Sequence, residues 1–415
     1  MTSQDPLSQQ PLPQPFAEHH AALPYAAYQA LLKSGPVHHT EVAPGLTAWL
    51  VCGYDMARTL MADPRLSIEP ASTTPEIRAA IDSLATEEKQ SLYGRHLLAV
   101  DPPDHSRMRR VMAHALTARR LRAMESRVVA IAEQLLDELD TEPGREEADL
   151  LSDFTLPLTV RVLAELVGLP PDGTALFQEL GLLVLRGHAA DSDIYAHVIS
   201  SLAAFFAELI KHPKGVGEDG LLRMLLTAHA AGEIEAGELN SLLFQLFFAG
   251  HESTGYFIAN AMATLLSHPD QLALLRKNSD LVSGAVEELL RFEGSVKSST
   301  WRFPAQDIVI EGIRIPKGDP VLILFAAANR DPEYVSDPDR LDITRPAASH
   351  LSFGHGVHHC LGNALGRMEA QIAIGSLIAR YPDLRLSAPY DALPWRANIV
   401  MRGMRSLPVT LGSRN

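Results

Sequence analysis

The chain has 415 residues, 46% hydrophobic and 21% charged, the balance of a soluble globular protein with a large core and too apolar for intrinsic disorder. Thirty-six Lys and Arg against fifty Asp and Glu leave a net charge of −14, which argues against generic nucleic-acid binding. Two cysteines, Cys52 and Cys360, are too few for a disulfide scaffold or a Cys-rich zinc module; no Lys or Arg precedes Lys33, and no apolar run approaches the roughly 18 residues of a membrane span. The expectation is a cytoplasmic protein with neither nucleic acid nor membrane as partner.

In chain order, residues 1–16 are Pro/Gln/Ser-rich and read as a flexible arm. Residues 17–415, with no low-complexity linker or repeat, read as a single domain. Leu46–Val51 is rich in strand formers. Leu121, Met124, Val128, Ile131, Leu135 and Leu139 recur at spacings of three and four and predict an amphipathic helix reaching Asp140. The polar stretches 141–149 and 212–220 read as loops. From Ala236 to Leu266 the chain is apolar on nearly every side, which predicts a helix through the interior. Its middle nevertheless holds Gly250, Glu252, Ser253, Thr254 and Gly255. A glycine costs a helix about 1 kcal/mol relative to alanine, and an unpartnered buried carboxylate costs far more. Either these groups form a satisfied polar pocket that fixes packing, or something approaches this backbone and meets polar groups aimed at it. Further on, Ile308–Ile310 and Ile313–Ile315 flank Glu311-Gly312, Val321–Phe325 follows Pro316-Lys317-Gly318, and Leu384–Leu386 and Leu407–Leu411 are strand-like. The fold class is mainly α with a minor β-sheet region.

The stretch from Phe353 to Gly362, FGHGVHHCLG, packs three glycines into ten residues beside a helical run from Asn363 to Ala379. It delivers Cys360 to a helix N-terminus, where unpaired N–H groups favour a thiolate. A thiolate can serve as nucleophile, zinc ligand or axial ligand of haem iron. Zinc lacks the second ligand pair usual in structural sites. A nucleophile wants a positioned base, which adjacency in sequence does not make of His359. An inert buried cysteine leaves the glycines without a reason.

This stretch resembles the haem-binding loop of the cytochrome P-450 monooxygenases, Phe-Gly-x-Gly-x-His-x-Cys-x-Gly, with Phe353, Gly354, Gly356, His358, Cys360 and Gly362 in all six fixed positions. Glu288-Leu289-Leu290-Arg291 resembles the family's Glu-x-x-Arg helix, and Arg345 in RLDITRP the arginine buried with it. Ala249-Gly250-His251-Glu252-Ser253-Thr254 is similar to the oxygen-binding groove, and DPPDHSRMRR at 101–110 to the helix that offers His105 and Arg109 to the haem propionates. The likeness runs from roughly residue 20 to the C-terminus and is to the soluble bacterial branch.

The resemblance implies a P-450 fold with a long central helix over haem b, Cys360 as iron ligand, and O2 as co-substrate. Phe353 would pack near the thiolate, and backbone N–H groups would moderate its charge. His105, Arg109, Arg302 and His358 would neutralise the propionates. Ala249 and Gly250 would open the oxygen groove. Glu252, Ser253 and Thr254 would relay protons, Ser253 standing where the family most often has threonine. Pocket duties fall to the loop around 70–98, the helices near 176–210, Phe248, Val296, Ser298, Ile399 and Val400. Six arginines and no acid between His105 and Arg122 suggest a docking surface for an acidic electron donor, with Arg107, Arg110, Arg119, Arg120 and Arg122 as candidates. The implied function is hydroxylation or epoxidation of a hydrophobic small molecule in antibiotic or other secondary-metabolite biosynthesis. NAD(P)H would supply electrons through ferredoxin reductase and ferredoxin. The alternatives are an electron-independent haem-thiolate isomerase or dehydratase, and a haem-based sensor without turnover.

Overall fold

A helix that is apolar all round must be enclosed by others. In the computed structural model, which describes residues 14–82, 94–141, 146–187, 192–346 and 349–414, Ala236–Ser267 forms one unbroken central helix. A capping box closes its first turn, Glu235 and Glu238 each accepting a backbone N–H that lacks a helical partner. The helices Leu156–Val167, Val282–Glu293 and Asn363–Arg380 pack around it. Glycine sets the closest of these approaches. A Cβ on Gly255 would stand 2.6 Å from Leu156 Cδ2, and one on Gly250 3.1 Å from Leu163 Cδ1. Gly250, expected to open the oxygen groove, also lets the Leu163 side chain of the Leu156–Val167 helix approach closely. The amphipathic helix spans Ala118–Asp140 and buries Leu121, Val128, Ile131, Leu135 and Leu139 as its stripe predicts. No described helix is long and apolar enough to cross a membrane.

The strands are short. Leu46–Val51 pairs antiparallel with Val37–Ala43 and parallel with Val321–Ile323. Ile308–Ile310 and Ile313–Ile315 close a hairpin across Glu311 and Gly312, with φ of 48° and 80°, both in the left-handed region that such two-residue turns demand. Pro408–Thr410 pairs with Arg385–Leu386 and also with Glu147–Asp149, a strand inside the stretch expected to be loop. Val37–Ala43 went unread because VHHTEVA lacks an apolar alternation. The strand expected to reach Phe325 stops at Ile323, and Phe325–Ala328 turns helical. Of the expected flexible arm, residues 1–13 lie outside the described residues, and Phe16 is not loose. It packs against the buried cluster that includes Tyr28, Leu50 and Leu322, with Lys297 Nζ 5.2 Å from its ring centroid.

Two buried ionic clusters tie distant segments together. Arg291 makes a bidentate pair with Glu288 at 2.8 Å and donates to the carbonyls of Asn329 and Pro338 at 3.1 and 2.9 Å. Arg345 Nε reaches the same carboxylate at 3.2 Å, so Glu288, Arg291 and Arg345 meet as expected. In the second cluster Glu293 binds Arg402 and Tyr25, and Arg402 donates to the carbonyls of Ala21 and Ala22 at 2.7 and 3.1 Å.

Removing one partner from a buried pair leaves an uncompensated charge, which typically costs 3–5 kcal/mol. Glu288→Gln should lower stability in urea unfolding by about 3–5 kcal/mol, since Arg291 is 3% exposed. Arg345→Ala should cost visibly less, its side chain being 14% exposed.

Candidate active site

The cysteine loop is built by glycines that no other residue could replace. Gly354 and Gly356 have φ of 71° and 73°, and a Cβ on Gly356 would stand 2.6 Å from Met61 O. The turn is closed by Cys360 N–H donating to Phe353 O at 2.8 Å and by Asn363 Nδ2 donating to Cys360 O at 2.7 Å. Gly362 is different: its φ is an ordinary −83°, and nothing lies within 4 Å of where its Cβ would be. Open space, not backbone shape, surrounds this glycine beside the sulfur.

Burial pushes the Cys360 thiol up, while the Gly362 N–H and then Arg109 and Arg367 pull it back only in part. The helix N-terminus therefore does not by itself produce the expected thiolate. A metal that binds the sulfur and displaces its proton would. Phe353 lies under the Arg367 guanidinium, 4.3 Å from the ring centroid, and Arg367 is held by Glu287 at 2.6 and 3.0 Å. Glu287 also receives His350 at 3.2 Å. Arg367 and His350 carry no signal in the sequence beyond nearness to the loop, and Glu287 none beyond standing next to Glu288.

Basic side chains gather on the other side of the loop. His105, at the start of the helix Asp104–Ala113, is buried, with its ring 4.2 Å from that of His358. Burial, and after it the charges of His358 and Arg109, hold the His105 imidazole down at about 4. Burial likewise lowers Arg109, and lowers Arg302 to about 10, with Asp101 alone pulling Arg302 upward. Arg302 Nε has no hydrogen-bond partner among the described residues. A buried cation needs an anion. The two carboxylates of a haem would supply what this cluster lacks, and the space at Gly362 would admit the ring, so the residues fit that group. His96, nearby in the chain, is also held at about 4 by burial.

On the central helix Ala249 is exposed, and Ser253 Oγ donates to its carbonyl at 2.8 Å. Glu252 lies close enough to Tyr256 to raise its phenol pKa, after the larger effect of burial. Thr254 departs from its expected relay role: its Oγ1 is 3.5 Å from the position of a Gly366 Cβ, so it is turned toward the Asn363–Arg380 helix. Thr159 Oγ1 and Ser295 Oγ donate to the carbonyls of His251 and Ser253 at 3.0 and 2.6 Å, holding this stretch from outside. Phe244 and Phe247 are core, whereas Phe248 is half-buried with its ring at 88° to that of Phe247.

The pocket segments 296–299 and 398–401 do meet, through a Val296–Met401 bridge and Lys297 N–H donating to Val400 O at 2.9 Å. Ser298 is corrected: fully buried, its hydroxyl donates to Ile399 O at 2.9 Å and holds the turn instead of lining a pocket. Residues 83–93 and 188–191 of the other expected pocket segments lie outside the described residues. Among the docking candidates Arg107 is likewise corrected, because it grips Glu238 at 2.6 and 2.8 Å and Asp104 at 3.0 Å. Arg120 is half-buried, and Arg110, Arg119 and Arg122 are exposed.

The depressed histidines set a pH dependence. Unfolded, His96 and His105 take a proton near 6.5; folded, not until about 4. Between those values the unfolded chain binds more protons, so the stabilisation is complete above 6.5 and is lost as pH falls toward 4. The Tm of the haem-free chain should drop across that window, and His105→Gln should flatten the fall.

The family model for cytochrome P450 matches residues 194–382. The chain is 40% identical over 394 residues to the cytochrome P450 monooxygenase PikC of Streptomyces venezuelae, covering 94% of this chain and 91% of that one. It is 39% identical over 389 residues to cytochrome P450 107B1 of Saccharopolyspora erythraea, covering 92% and 94%. The structure of the tirandamycin C-bound P450 monooxygenase TamI matches with a TM-score of 0.85 at 34% identity, over 95% of this chain and 99% of that chain. A cysteine loop shaped by glycine, a buried arginine whose Nε lacks a partner among the described residues, and likeness along nearly the whole chain place this protein in the cytochrome P450 family of haem-thiolate monooxygenases.

Proposed function

We propose that the chain is a cytoplasmic enzyme that hydroxylates or epoxidises a hydrophobic natural product, using haem b and two electrons from a ferredoxin and its NAD(P)H-dependent reductase. The observation that supports the haem assignment is the buried Arg302, whose Nε has no hydrogen-bond partner among the described residues, together with the half-buried Arg109 whose charge reaches Cys360. Haem iron, when bound, supplies activation of O2 and transfer of one oxygen atom to the substrate. Cys360 would give up its proton on ligation, and the Gly362 N–H would take up part of the sulfur's charge. His105, Arg109, Arg302 and His358 would hold the two propionates.

Ser253 donates its proton to Ala249 O and keeps its lone pairs free to accept from water, so it can hold a water in the groove. Glu252, one residue earlier, is the acid that would recharge that water. Serine keeps the hydroxyl of the commoner threonine but lacks the methyl that restricts its rotamers. Phe248, Val296 and Val400 give the pocket an apolar character, which suits a compound of the general kind that TamI binds as tirandamycin C.

Turnover with a surrogate ferredoxin and reductase should consume NAD(P)H and form product only when substrate is present. Product formed without electrons would favour the isomerase or dehydratase, and ligand binding with no turnover would favour the sensor. In the same assay Ser253→Ala should bind substrate normally but send electrons to peroxide or water, lowering product per NAD(P)H several-fold. Unchanged coupling would remove Ser253 from the relay.

Arg110, Arg119 and Arg122 form the donor-docking surface in this reading. The reading is supported by Arg109, whose charge reaches the Cys360 sulfur from the helix that also carries Arg110. Opposite charge chiefly raises the rate of encounter. Arg110→Glu combined with Arg119→Glu should slow the first reduction by ferredoxin about tenfold at low salt and blunt its salt dependence, with substrate affinity unchanged. Reduction at the original rate would move the docking surface elsewhere.

A further inference from the structure

One acidic residue sits among the basic groups of the propionate site. Asp101 lies just before the Asp104–Ala113 helix, and its backbone carbonyl accepts His105 N–H at 3.0 Å. Its side chain faces the short strand Leu66–Ser67. Ser67 Oγ donates to Oδ2 at 2.5 Å, Ile68 N–H lies 3.3 Å from both oxygens, and Asp101 N–H donates to Glu69 Oε1 at 3.1 Å. The carboxylate is thereby fixed with Oδ1 3.6 Å from His358 Nε2, while His358 Nδ1 faces Leu97 O at 3.2 Å. Burial pushes the Asp101 carboxyl up, but His358, Ser67 and the Ile68 N–H together bring it below its usual range. Asp101 is also the carboxylate whose charge supports protonation of both His105 and Arg302.

The charges can be counted. Arg109 and Arg302 are permanent cations and would balance the two propionates a haem brings, which leaves the Asp101 carboxylate facing the His358 imidazole. Reducing the iron adds another negative charge to the same region, and a fixed, half-buried anion opposes that addition.

We propose that Asp101 is a positioning residue that fixes the His358 ring at the edge of the propionate site and, through its charge, holds the haem reduction potential low. This rests on the propionate assignment above. A low potential withholds the first electron from an enzyme whose pocket is empty, where reduction would deliver electrons to O2 without product.

The test is a redox titration of the holoenzyme. Asp101→Asn should shift the midpoint potential to more positive values while the reduced, carbon monoxide-treated protein keeps its red-shifted thiolate Soret band. Asp101→Glu, which keeps the charge, should return the potential close to that of the parent protein. An unmoved potential in Asp101→Asn, or an equal shift in Asp101→Glu, would overturn the proposal. Loss of haem from Asp101→Asn would assign the residue to haem retention alone and overturn it too. Arg302→Gln, measured in parallel, separates this from the reading beneath it. If that variant changes neither haem retention nor potential, the propionate site is misassigned. If it responds and Asp101→Asn does not, Asp101 alone is misassigned.

Discussion

Arg302 is held in the interior by its backbone, which exchanges hydrogen bonds with Val321 at 2.8 and 3.0 Å, and not by an anion on its guanidinium. Moving such a group out of water costs several kcal/mol unless opposite charge joins it. His105 and His96 avoid the same cost by staying neutral, but a guanidinium cannot. The folded chain thus keeps the Arg302 charge desolvated, and burial keeps the Cys360 thiol protonated. A haem held here would offer carboxylates to the first and a metal to the second. The glycine turns of the loop, the space at Gly362 and the packing of the central helix all serve to keep that arrangement open.

The buried Glu288–Arg291 pair belongs to the same construction. Arg291 donates to Asn329 O at 3.1 Å, and the Asn329 side chain in turn takes Leu351 N–H at 2.6 Å and donates to Ser352 Oγ at 2.9 Å. Ser352 Oγ donates back to Leu290 O at 2.6 Å, on the helix that carries Glu288 and Arg291. The strand of chain entering the cysteine loop is thus fastened to this helix from two sides. An ion pair far from any reacting atom sets where Cys360 stands, through two side chains and no long-range field.

Much of this was legible beforehand, and the misses share a physical cause. The helix ending at Asp140 and the central helix are written in apolar spacing, which depends on each segment alone. The loop at Cys360 is written in glycines whose positive φ admits little else. Spacing gives the face of a helix but not the neighbour that face will meet. Thr254 was assigned to the oxygen side, yet it faces Gly366, more than a hundred residues on. Gly250 suggests room for a ligand, and the fold shows that its absent side chain also makes room for Leu163. Arg107 looks exposed within a basic run, but Glu238, in the first turn of the central helix, folds over it. Asp101 was quoted as part of a motif, while its meaning depends on Ser67, His358 and Arg302, brought together only by the fold.

The two sides of the site are built for different traffic. On the central helix, hydroxyls of Thr159 and Ser295 occupy the carbonyls of His251 and Ser253, so the backbone around the groove is pinned by elements outside the helix. The hydroxyl of Ser253 is bonded only within the helix, to the Ala249 carbonyl, and without a β-methyl its rotamer is less restricted than that of a threonine. On the cysteine side the groups are stiff: Arg367 is clamped by Glu287, Phe353 is stacked beneath it, and the exposed positive charge lies on the neighbouring helices. Rigid groups suit electron arrival, because an electron needs a fixed distance and orientation, whereas a proton needs a donor that can rotate. The proposed relay would thus rest on Ser253, whose side chain can change rotamer, and the proposed iron ligation on Cys360, whose surroundings are clamped.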